Sequence, residues 1–174
     1  MPEVAPRNAR PGVAEFEAPW GATQRVVSLL VLTVLPLVLV GTWVGMPGLW
    51  LRLTVATGIL VLLAVGLGSM VLGYRVESDA LYVRRPLRET RIPLAGLRAA
   101  ECDAGALTGS LRLFGNGGFL SFTGWYWNRR LGRFQLFAND PSHAVVMRFR
   151  DRVVVVAPSE PATFAARLSG ACHG

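Results

Sequence analysis

The residues of this chain that could do covalent chemistry are few and poorly grouped. Asp140, Ser142 and His143 stand together in the stretch NDPSH, but a nucleophile, a base and an orienting carboxylate must converge in space, which adjacency in a turn does not secure. Cys172 and His173 offer two metal ligands where zinc takes three or four. Cys102 and Cys172 are the only cysteines, too far apart for a CxxC site or a disulfide framework. Glu101 and Asp103 read as a solvated strand end. No P-loop, dinucleotide fingerprint or nucleophile elbow is present. The sequence therefore points to no catalytic residue, no metal site and no cofactor, and away from an enzyme.

Residues suited to non-covalent binding are better placed. The run FTGWYWNRRLGRF carries Trp125, Tyr126 and Trp127 straight into Asn128, Arg129 and Arg130. In a strand Trp125 and Trp127 share one face and Tyr126 takes the other. Asn128 to Leu131 then form the turn, with Gly132 absorbing a positive φ. Two uses stand open. One face of this ribbon packs in a core, or the ribbon is a membrane-proximal or partner-binding tip in which tryptophans and arginines act as interface anchors. One ring is expected buried and one exposed, with Trp127, next to the turn, as the exposed one. No single-strand-binding fold surrounds the run, so nucleic acid is not an expected partner.

A second basic cluster is Arg84-Arg85-Pro86-Leu87-Arg88-Glu89-Thr90-Arg91. Arg84, Arg85 and Arg88 are either solvated strand ends or a contact for anionic lipid headgroups. All 18 basic residues are arginine, and the net charge of +7 suits an anionic partner. The candidate binding residues are thus Trp125, Trp127, Arg129 and Arg130 in the ribbon, with Arg84, Arg85 and Arg88 before it.

The elements that must position these side chains begin with two apolar stretches. Val26 to Val44 and Leu53 to Leu72 carry no charged residue, and at 1.5 Å per helical residue each covers about 30 Å, the hydrocarbon thickness of a bilayer. Only residues 45–52 separate them, so they predict a tight antiparallel membrane hairpin over 25–73. Pro36 is tolerated where neighbours re-satisfy the backbone. Trp43 and Trp50 fall at the expected interface, with Trp20 outside the other end. Gly41 with Gly45, and Ala64 with Gly68, have the spacing that lets helices approach closely, or reflect the ordinary frequency of small residues in spans. Arginines crowd both outer flanks, while the hairpin loop has only Arg52. The positive-inside rule therefore puts both termini in the cytoplasm. Residues 1–24, led by a stretch rich in Pro, Ala and Arg, read as a disordered cytoplasmic tail.

From Tyr74 to Gly174 the texture changes to short apolar runs broken by turn residues. Tyr74–Glu77 and Ala80–Arg84 around Ser78-Asp79 read as a hairpin. Thr90–Ile92, Leu97–Cys102, Phe119–Trp127 and Arg133–Ala138 are further strands. Ala144–Phe149 and Arg152–Val156 are strongly β-branched and joined by Arg150-Asp151, the clearest hairpin in the chain. Ser159, Glu160 and Pro161 then suit a helix start, and Phe164 and Leu168 give that helix one apolar stripe.

The run RLFGNGGFLSFTGWYWNRRLGRFQLFAND, followed by HAVVMRF and DRVVVVAPSEPATFAARL, resembles the bacterial PH-like domains of small membrane-anchored proteins. The resemblance covers about residues 73–170. Its most specific parts are Leu113-Phe114-Gly115 with Gly117 and Gly118, and Pro158 to Pro161. It implies a bent barrel of about seven antiparallel strands capped by a C-terminal helix, and so an all-β or α+β domain behind a two-helix membrane hairpin. It also implies a multi-pass protein of the bacterial plasma (inner) membrane. Eukaryotic PH domains that bind phosphoinositides cluster basic residues at the first hairpin loop. Here that loop is Glu77-Ser78-Asp79, which argues against such a site. The expected function is a binding or scaffolding module, through a protein partner or self-assembly at the membrane face. The alternatives are an anionic-lipid sensor, or an accessory subunit of a membrane enzyme or transporter.

Overall fold

The computed structural model describes residues 13–45, 48–117 and 121–171. Two helices lead, α1 (Ala22–Gly45) and α2 (Leu49–Ser69). Their mean hydropathies of 2.4 and 2.0, over Gln24–Gly45 and Leu49–Ser69, with lengths of 22 and 21 residues, make both long and apolar enough to cross a membrane. Pro36 sits inside α1 without ending it. The bounds differ from those expected, for local reasons. At the start of α1 the Arg25 side chain turns back and its Nε donates to the Trp20 carbonyl at 3.1 Å. At the loop end α2 takes in Trp50 and Arg52, whose guanidinium lies 5.5 Å from the centre of the Trp43 ring. At its other end α2 stops at Ser69 because the next residues serve the domain: Val71 is fully buried, and the Leu72 amide donates to the Arg84 carbonyl at 2.8 Å. A Cβ added at Gly41 or Gly45 would meet nothing within 4 Å, so neither glycine holds the helices together.

Among the described residues, ten strands precede or follow the helices. One sheet has the order β1 (Ala14–Glu17), β2 (Gly73–Val76), β3 (Ala80–Arg84), β4 (Glu89–Pro93), all antiparallel. The second contains β5 (Leu97–Cys102), β6 (Leu111–Gly117), β7 (Phe122–Asn128), β8 (Gly132–Ala138), β9 (Val145–Phe149) and β10 (Val153–Val156), ordered β5-β9-β10-β8-β7-β6. Helix α3 (Pro161–Ala171) is the last described element. The architecture is the expected one, an apolar helical pair and a β-rich domain with a C-terminal helix. Its details are richer. Strands β1 and β6 were not anticipated, and β10 lies parallel to β8, with Val155 opposite Leu136.

Strand β1 corrects the reading of residues 1–24 as a disordered tail. Ala14 to Glu17 pair with Gly73 to Val76, Phe16 opposite Tyr74. The Phe16 ring meets Phe164 of α3 edge-on at 5.0 Å, and the Ser159 amide donates to the Glu17 carbonyl at 2.9 Å. The period-two pattern of Ala-Glu-Phe-Glu fits a strand with one half-buried face. Residues 1–12 lie outside the described part.

The main core joins the two sheets to α3. Tyr74, Leu81, Val83 and Ile92 of the first sheet face Phe137, Met147, Val154 and Val156 of the second, with Phe164 and Leu168 inserted from α3. The Tyr74 hydroxyl, fully buried, donates to the Phe137 carbonyl at 2.6 Å and accepts from the Ala157 amide at 3.1 Å. Burial pushes its pKa well above the usual tyrosine value, against the opposing effect of the Ala157 hydrogen bond. The other face of the second sheet, with Tyr126, Phe134 and Leu136, is covered by Ala106 and Leu107 from the segment after β5. Just past β8, buried Asn139 donates from Nδ2 to the carbonyls of Ala18, at 3.2 Å, and Val71, at 2.8 Å. One side chain thus pins the strand leading into α1 and the exit of α2 to the domain.

Candidate functional site

Strand β3 ends at Arg84, and Arg85-Pro86-Leu87-Arg88 carry the chain over to β4. This turn lies beside the last turns of α2. A Cβ added at Gly68 would stand 3.7 Å from Leu87 Cδ1. Facing α2 and this turn is the β6-β7-β8 ribbon, on the face that Phe137 carries into the main core. Register puts Phe114 opposite Trp125 and Trp125 opposite Gln135, with Thr123 opposite Phe137, so these residues share a face. A cleft of about 710 Å³ opens between them, with Leu62, Val65 and Gly66 of α2 forming an apolar wall. Arg85 and Arg88 line its basic side, and Phe114 and Trp125 the far wall.

The chemistry of this cleft centres on Arg85. Its guanidinium lies 5.0 Å from the centre of the Phe137 ring, and its Nε is buried with no hydrogen-bond partner among the described residues. Burial lowers its pKa, and the charge of Arg88 lowers it further. Burial of a charged group without a counter-charge is unfavourable, and no ion pair joins Arg85 or Arg88 to a carboxylate among the described residues. A bound anion would reverse both effects. Guanidinium donors match a phosphate's oxygens in a two-pronged geometry, and a flanking aromatic face completes the pocket: the Arg133 guanidinium already stacks on Trp125 at 4.3 Å. Arg112 reaches the rim of the same cleft, while its charge acts on the Tyr126 hydroxyl, whose pKa burial raises and Arg112 partly lowers.

Of the seven residues singled out from sequence, the fold gathers Arg85, Arg88 and Trp125. It sends the others elsewhere. Arg84 pairs with Glu15 at 3.5 Å. Arg130 pairs with Asp103, and exposed Arg129 sits beside it in the turn after β7. From Thr123 to Asn128 a strand covers about 16 Å at ~3.3 Å per residue, so that turn lies well away from the cleft. Trp127 shares the Trp125 face and is 40% exposed. The expectation of one core tryptophan needs correction: Trp125 is only half-buried, lining the cleft, and the buried ring of the run is Tyr126, packed near Phe134.

The turn itself is held by Asn128. Its Nδ2 donates to the Ala106 carbonyl at 2.8 Å and Ser110 Oγ at 2.9 Å, while Oδ1 accepts from the amides of Arg130 and Leu131. Phe114 and Arg133 were missed from sequence, because both act through cross-strand neighbours of Trp125. The Asp140-Pro141-Ser142-His143 stretch is a capped single turn: the Ser142 hydroxyl donates to Asp140 Oδ1 at 2.7 Å. Burial pushes the Asp140 carboxyl up, but the Ser142 hydrogen bonds and the neighbouring His143 outweigh it and hold the pKa below the usual value. A second cavity, of about 440 Å³ beside Leu107 and Tyr126, has no charged lining residue among those described.

No curated protein and no solved structure matches the chain. Strands β2 to β10 with their closing helix occupy the stretch that resembles PH-like domains, and the model of the bacterial PH domain matches residues 72–171, more than half the chain, so the chain belongs to that family.

Proposed function

We propose that this protein is a membrane-anchored binding module whose cleft takes the phosphate-bearing headgroup of an anionic lipid. In this reading α1 and α2 cross the bacterial plasma membrane and hold the PH domain at its cytoplasmic face. The observation that carries it is Arg85: a half-buried guanidinium without a counter-charge, beside Arg88, in a cleft that opens along the end of α2. A headgroup arriving in the plane of the bilayer meets these donors directly, and anionic leaflets attract juxtamembrane arginines. A second reading, contact with a protein partner or another copy of the chain, is favoured by the exposed pair Trp127 and Leu111, opposite each other at the far end of the ribbon.

The test is lipid retention by the full-length chain. Purified from phosphatidylcholine vesicles doped with phosphatidylglycerol, the protein should retain the anionic lipid in native mass spectrometry. Arg85→Gln should lower that retention about tenfold or more, since hydrogen bonds to charged groups are worth about 1.5–3 kcal/mol. Arg150→Gln, in the exposed β9-β10 turn, should not. Equal retention by the two variants would remove the headgroup reading. Topology has its own check: reporters fused after Gly174 and at Pro47 should read cytoplasmic and external respectively. A C-terminal reporter on the outside would overturn the orientation.

A further inference from the structure

We infer that the PH domain lies directly on the bilayer that α1 and α2 cross, with two apolar tips, Leu87 and Phe114, seated in it beside α2. This rests on the reading of the helices as membrane spans, but not on the headgroup site. Leu87 is 79% exposed and Phe114 78%. Leu87 crowns the turn between Arg85 and Arg88 and reaches toward Gly68 of α2. Phe114 shares the cleft with Leu62 and Val65. Leu62 precedes the helix end at Ser69 by seven residues, about 10 Å of helix at 1.5 Å per residue. The headgroup layer is only about 5–8 Å deep on each side of a ~30 Å hydrocarbon core. The 21 residues of α2 cover about 30 Å and so just fill the hydrocarbon core, which places a ring level with Val65 or Leu62 inside it when α2 spans the bilayer.

The connection leaves little freedom. From Ser69 to Gly73, where β2 begins, four residues span at most about 14 Å. Asn139 further fixes both linkers by its bonds to Ala18 and Val71, so the tips cannot swing away from α2. Charge names the occupant. Arg85 and Arg88 flank Leu87, and Arg133 lies on Trp125 beside Phe114. Apolar tips ringed by arginines suit an interface with phosphates at one level and acyl chains below it. A second copy of the chain docked there would set arginine against arginine.

Spin-label depth tests the placement in the full-length chain. With Cys102→Ser and Cys172→Ser as background, single variants Leu87→Cys, Phe114→Cys and Thr108→Cys carry a nitroxide in phosphatidylcholine vesicles. Thr108 is exposed on the segment covering the opposite face of the sheet. Labels at 87 and 114 should relax preferentially with oxygen, and the label at 108 with a water-soluble nickel chelate. Nickel access at 87 and 114 equal to that at 108 would overturn the inference, and so would one tip reading hydrocarbon while the other reads water. The outcome is separable from the headgroup site. Insertion persists in vesicles without anionic lipid, because apolar side chains carry it, and it survives Arg85→Gln. Insertion that appears only once phosphatidylglycerol is added to the vesicles would overturn the inference, since the arginines alone would then hold the surface.

Discussion

Asn139→Asp is expected to destabilise the full-length chain by about 3–5 kcal/mol at neutral pH, the effect of leaving a charge buried and uncompensated. Asn139 is completely buried, and only its amide nitrogen is employed, donating to the carbonyls of Ala18 and Val71. Its Oδ1 has no partner among the described residues. A carboxylate offers two acceptors to two acceptors, in a site that excludes water. Asn139→Leu removes the donor without adding charge and should cost less, on the order of 1–3 kcal/mol for carbonyls left unpaired. The pH dependence separates the two variants. A carboxyl at 139 would titrate above its unfolded value near ~4, because burial favours the neutral form. The folded state then holds its proton at pH values where the unfolded state has lost it. Stability therefore falls as pH rises from about 4 through the raised folded value, and the deficit shrinks in acid. Thermal melts in detergent at several pH values measure this. Two variants that melt with the unaltered chain at every pH would show that residue 139 does not hold the linkers.

How much of this was legible in sequence depended on the range of the interactions. The helical pair was, because an uncharged stretch of bilayer length is a one-dimensional signal. Its ends moved because tertiary partners decide them: Val71 and Leu72 look like membrane residues until the domain buries one and bonds the other. The β9-β10 hairpin was legible from β-branched runs around a polar turn. Strand β1 was not, since four residues in a Pro- and Arg-rich stretch carry little pattern and their pairing with β2 lies more than 50 positions away. Strand β6 was hidden by its glycines. For the candidate site, sequence supplied the arginine cluster and the aromatic run but not their meeting. Arg84 and Arg85 are neighbours, yet one pairs with Glu15 and the other enters the cleft. Arg130 looked as available as Arg85 until Asp103 was brought to it.

Gly124→Ala should break the cleft without touching any of its arginines. Gly115 and Gly124 stand opposite each other where β6 and β7 bend, with φ of 123° and 136°, a region open in practice only to glycine. A Cβ at 124 would collide with the Phe114 carbonyl oxygen and come within 2.7 Å of Gly115 Cα. The obstacle is backbone on both counts, so no side chain can rotate away. Backbone strain of this kind costs about 1–3 kcal/mol, and the collision adds to it, so the two strands are expected to part at this point. Phe114 and Trp125 flank the glycines and would lose their fixed spacing, taking the far wall of the cleft with them. Gly132→Ala is the matched control. Its φ of 68° is also left-handed, but a Cβ there meets nothing within 4 Å, so the penalty is the conformational one alone, about 1–2 kcal/mol. Gly132→Ala should then keep its anionic lipid, while Gly124→Ala loses both stability and lipid. If Gly124→Ala kept the lipid despite its lower melting point, the ribbon would be dispensable and Arg85 with Arg88 would suffice. If it melted no lower than Gly132→Ala, the close approach of β6 to β7 would not exist in solution. Both variants retain all 18 arginines, so a difference in lipid retention between them measures the placement of charge rather than its amount.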